Sequence, residues 1–97
     1  MIETVENAAA TYLVASRGLI DAMRTYASLC LPYFEEDAQA LLDLICEFEA
    51  ELTTLSTPDA IEDWACRDDN ALRWNLKLRV QGQVLSTLLG AQLKALL

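Results

Sequence analysis

The sequence predicts an all-α domain: a compact antiparallel bundle of three long helices, about residues 5–30, 33–55 and 70–96, with a short helix at about 58–67. Three observations carry this. Apolar residues recur at alternating spacings of four and three, most cleanly in the series Phe34, Ala38, Leu41, Ile45, Phe48, Leu52, Leu55. Hydrophobic residues make up 54% of the 97, with only three Gly and two Pro, which favours a packed, loop-poor domain over a disordered chain. Finally, Trp74, Leu76, Leu78 and Val80 alternate with polar residues at strand period, but no second alternating run exists to pair with them. A single domain spanning 1–97 follows from the length.

The first helix is drawn by Val5, Ala9, Tyr12, Ser16, Leu19, Met23, Tyr26 and Cys30, with Leu13, Ile20 and Ala27 on a neighbouring line. Thr4 is a plausible N-cap, and Pro32 stops the helix because the residue before a proline avoids helical geometry. The second helix starts with Pro32 in its first turn and Glu35, Glu36 and Asp37 where the helix dipole favours acids. At "LSTPDA", Thr57 caps a short third helix, Pro58 takes its first position, and Ile61, Trp64 and Ala65 point inward.

An unbroken helix from 58 to 97 would run about 60 Å, against about 39 Å for the first helix, and would leave leucines without neighbours. Asp68, Asp69 and Asn70 are poor in helix interiors and good as caps, so the break is expected there. In the last helix, Ala71, Trp74, Leu78, Leu85, Leu89 and Leu96 form one apolar line and Leu72, Leu76, Val80 and Val84 an adjacent one, predicting a broad buried face.

Most chemistry is excluded by what the chain lacks. With no histidine there is no Ser-His or Cys-His pair and no histidine-based metal motif, and Gly18, Gly82 and Gly90 are isolated, so no phosphate loop forms. Carboxylates on an exposed helix are not tuned for acid/base work. The chain is therefore expected to be no enzyme and to need no cofactor or metal. Cys30, Cys46 and Cys66, an odd number without a CxxC pair, read as packed thiols in a reducing compartment.

Glu3 and Glu6 stand where a signal peptide would be basic, and the apolar stretch "VLSTLLGAQLKALL" is too short and polar to span a membrane. A cytoplasmic location is expected.

Charge is strongly segregated within a net of −8. Residues 35–69 hold twelve acids against Arg67 alone, whereas residues 70–97 hold Arg73, Lys77, Arg79 and Lys94 and no acid. Asp43, Glu47 and Glu51 form a column at four-residue spacing, with Glu36 near the same face. Like charges at that spacing cost a helix about 0.2–0.5 kcal/mol per pair. Such a column is either a solvated face or a surface for a basic partner, including one that otherwise holds nucleic acid. Direct nucleic-acid binding is not expected, because four cations make a small footprint against the overall negative charge.

Gly82, Ser86 and Gly90, at four-residue spacing, form a strip of small residues that lets backbones approach closely. Two readings stand, tight packing inside the monomer or a seam on the last helix for self-association, which makes the chain a homodimer, or for a partner's helix. Apolar residues of the C-terminal stretch would otherwise stay exposed.

The segment "STPDAIEDWACRDDNALRWNLKL", residues 56–78, is a Ser/Thr-Pro helix start followed by a long amphipathic helix. In that pattern it resembles the C-terminal half of phasins, helical proteins that coat polyester storage granules. Two tryptophans and three cysteines depart from the pattern. The resemblance implies an amphipathic surface-coating role. The residues themselves point first to a protein–protein interaction module, most concretely a small acidic inhibitor or immunity-type protein presenting Glu36, Asp43, Glu47 and Glu51 to a basic surface. A structural subunit of a helical assembly is the remaining expectation.

Overall fold

A computed structural model describes residues 5–96, with side chains from residue 7 onward. Four helices follow in order: α1 (Val5–Cys30), α2 (Glu35–Thr53), α3 (Pro58–Glu62) and α4 (Asn70–Leu96). The all-α bundle of three long helices and one short is thus what forms. The 74–81 stretch is helical throughout, its alternation produced by two apolar faces on one helix. Thr4 lies outside the described residues.

The core takes Ile20, Ala27 and Cys30 from α1, Ala38, Leu41, Ile45, Phe48 and Leu52 from α2, and Trp74, Leu78 and Leu85 from α4. The α2 series lands as expected, because α2 packs against both other long helices and its whole apolar line is covered. On α1 the covered line is Ala9, Ser16, Ile20, Ala27, while Leu19 is 46% exposed.

The helix ends show local chemistry at work. The chain turns at 31–33, where the Tyr33 and Phe34 amides both donate to the Cys30 carbonyl at 3.0 and 2.9 Å. Pro32 therefore sits in that turn and not in the first turn of α2, which begins two residues later than expected. Phe34 offers no side-chain cap there, but Glu35, Glu36 and Asp37 fill the first turn and face the positive end of the dipole. At the other end Thr53 and Thr54 hydroxyls donate to the Ala50 and Glu51 carbonyls at 2.8 and 2.7 Å, closing α2 before Leu55.

Thr57 caps α3, its hydroxyl accepting from the Ala60 amide at 3.1 Å, with Pro58 in the first turn. The helix then widens into one π-helical turn, Asp63–Arg67, closed by the Asp68 amide donating to the Asp63 carbonyl at 3.0 Å. Asp69 takes a left-handed conformation, φ 57°, which Asp tolerates better than most side chains. That residue ends the turn, and α4 starts at Asn70, so the helix breaks where expected.

The broad buried face expected on α4 does not form. Trp74, Leu78 and Leu85 are buried, but Leu72, Leu76, Val80 and Val84 are 58%, 44%, 63% and 38% exposed. The reason is the number of neighbours. Among the described residues, α1, α2 and the π turn pack on α4, on the Trp74–Leu78–Leu85 side, and α1 touches it sparsely. A helix apolar on both sides needs cover on both sides, and the described residues supply it on one.

Candidate interaction surfaces

Four features bear on function: a polar node in the core wall, the acidic face of α2, the small-residue strip, and the outer face of α4.

The node is built around Glu51. Its Oε2 accepts from the Trp74 indole at 2.8 Å and the Trp64 indole at 3.1 Å. Phe48 stacks against both rings, with centroids 5.3 and 6.1 Å away, Tyr12 tilts against Trp64, and the Lys77 ammonium lies 4.8 Å over Trp74. One carboxylate thus satisfies two indole donors and joins α2 to the π turn and α4. Glu51 is only half-buried, yet its acceptor is occupied inside the molecule. Of the four acids expected on the outward face, Glu51 is the one whose Oε2 is turned to partners inside the molecule. A helical wheel sets Glu51 four residues on from Glu47 but does not reveal that two tryptophans from a distant segment converge on it. Two tryptophans needing polar partners were the available signal.

Glu36, Asp43 and Glu47 are exposed on α2. Asp43 accepts from Gln39 at 3.0 Å within the helix. Glu49, one step around the helix, pairs with Arg24 of α1, and Arg24 also reaches Asp21 at 3.3 Å.

Gly82 and Ser86 face α1. A Cβ at Gly82 would sit 3.8 Å from the Met23 methyl, and the Ser86 and Tyr26 hydroxyls are 3.3 Å apart. Gly90 has nothing within 4 Å of a would-be Cβ. Two members of the strip thus serve contacts inside the monomer and one stands open.

The outer face of α4 carries the Leu72, Leu76, Val80, Val84 row. In its middle Val80, Val84 and Leu88 form a shallow apolar trough rimmed by Arg79, Gln83 and Thr87. Nearby, Leu19 and Leu72 border a cleft between α1 and α4 with Phe48 and Leu78 at its floor. In that cleft Tyr12 has its phenol pushed above the usual tyrosine value, first by burial, with the nearby Cys66 thiol adding to this and the Ser16 hydrogen bond opposing it.

Cys30 is buried as expected, whereas Cys46 and Cys66 are exposed, and all three are free thiols. Among the described residues no group of three potential ligands could hold a metal ion, and no helix is long and apolar enough to cross a membrane.

Compared with known proteins, the chain matches no protein-family model, no curated protein and no solved structure. The phasin likeness therefore rests on the 56–78 pattern alone.

Proposed function

We propose that this chain is a non-enzymatic, cytoplasmic protein–protein interaction module that folds with one side of α4 and docks with the other. The observation carrying this reading is the outer row: four large apolar side chains at four-residue spacing, each more than a third exposed. Single exposed leucines are ordinary, but a continuous row along one helix marks an interaction surface. Free thiols at Cys30, Cys46 and Cys66 favour a reducing compartment.

A second docking surface is supported by the exposure of Glu36, Asp43 and Glu47 on α2. In this reading they meet a basic partner surface, as an inhibitor of a nucleic-acid-binding protein would, and Glu51 is not among them because the indoles hold it. The surface-coating and assembly-subunit roles would use the α4 row instead.

Photo-crosslinking side chains placed singly at Val80 and at Asp43, in cells making the full chain, separate the surfaces. Adducts concentrated at Val80 are expected. Adducts at Asp43 with none at Val80 would move the docking function to the acidic face, and adducts at neither would remove it from both.

A further inference from the structure

Resting on the reading that α4 is a docking helix, we infer that its outer face receives an amphipathic helix of a partner protein whose flanks are acidic. The row itself favours a helix. Leu72, Leu76, Val80 and Val84 follow the four-residue ridge of α4, which spans about 18 Å from end to end, and such ridges seat in the grooves of a second helix. The row lacks cover along its whole length, with Leu72, Leu76, Val80 and Val84 all more than a third exposed.

Charge selects the occupant. At about 100° per residue, Arg73 falls on one flank of the row and Arg79 on the other, with Lys77 beside Arg73 but leaning over the Trp74 ring and Lys94 farther along the same face. No acid occurs from Asn70 to Leu96, and none of these four cations forms a salt bridge with a described residue. An apolar ridge between two basic flanks complements an apolar ridge between two acidic ones. A second copy fits less well. Two α4 helices face to face would double the cations without adding an acid, and an antiparallel pair centred on Val80 would bring Arg79 against Arg79. An anionic lipid surface would also meet the rim, but a flat plane offers the four-residue ridge no groove in which to seat.

The test uses the full-length chain and two synthetic helical peptides of about 18 residues. They share one leucine face, and one carries Glu on both flanks while the other carries Lys. Binding is followed by calorimetry and by amide shifts at low and moderate salt. The Glu-flanked peptide is expected to bind at least tenfold more tightly than the Lys-flanked one, to weaken as salt rises, and to shift amides of 72–88. Leu76→Gln with Val80→Gln should weaken it at least tenfold, while Leu29→Gln, an exposed leucine on α1, should not. Equal binding of both peptides, or no binding of the Glu-flanked peptide at millimolar concentration, overturns the inference. So does dimerisation of the free chain through Val80, or preferential binding to phosphatidylglycerol vesicles. Failure here leaves the crosslinking at Val80 intact as the test of docking itself.

Discussion

The Trp74 indole donates to the Glu51 carboxylate at 2.8 Å, and the Trp64 indole reaches the same oxygen at 3.1 Å. Hydrogen bonds to a charged acceptor contribute about 1.5–3 kcal/mol, and an indole left unpaired in the core wall adds its own cost. Glu51→Ala is therefore expected to lower unfolding free energy by about 2–4 kcal/mol, with Glu51→Gln losing less because its carbonyl still accepts. Glu47→Ala, on the exposed side of the same helix, should stay within about 0.5 kcal/mol. Urea titration of the three variants measures this. Equal losses at 47 and 51 would mean that the indole contacts add nothing.

Glycines on one helix should respond oppositely. Gly90 has open space around it and ordinary helical backbone, so Gly90→Ala should stabilise by about 0.5–1 kcal/mol through helix propensity. Gly82 faces the Met23 methyl, and Gly82→Leu should destabilise by about 1–3 kcal/mol from overpacking against α1. Thermal melts decide the matter, and a stabilising Gly82→Leu would show that α1 and α4 do not meet there.

Alkaline stability should depend on Tyr12. Burial raises its phenol pKa above the ordinary value near 10, so the folded chain holds the proton more tightly than the unfolded one. The sign follows from linkage. Its contribution is complete below the unfolded value of about 10 and is lost as pH rises through the higher folded value, with a slope of at most about 1.4 kcal/mol per pH unit. Wild-type stability should fall more steeply above pH 10 than that of Tyr12→Phe. Parallel curves for the two, from urea titrations at several alkaline pH values, would contradict the burial of that phenol.

Much of the fold was legible because local rules and tertiary context agree. The α2 line from Phe34 to Leu55, the Thr57–Pro58 helix start and the break at Asp68–Asn70 each rest on spacing or capping chemistry that needs no distant partner. The candidate surfaces were legible only in part. Apolar periodicity marks Leu72, Leu76, Val80 and Val84 as a face, but it cannot say whether a neighbour covers that face, and here none of the described residues does. Glu51 shows the converse: its spacing from Glu47 suggests an outward column, and only the arrival of Trp64 and Trp74 from elsewhere turns its carboxylate to internal use. Gly82 and Ser86 were visible as a strip, while the helix they face was not.

The central claim is that α4 has two apolar faces with separate tasks, and the unfolding free energy of Leu76→Gln with Val80→Gln tests it most directly. If the outer row is unpartnered in the folded chain, the double variant should lie within about 1 kcal/mol of wild type, as exposed substitutions do. Leu78→Ala, on the buried face two residues from each, should cost about 2–5 kcal/mol. A double-variant loss matching that of Leu78→Ala would place the row in the core and contradict the account.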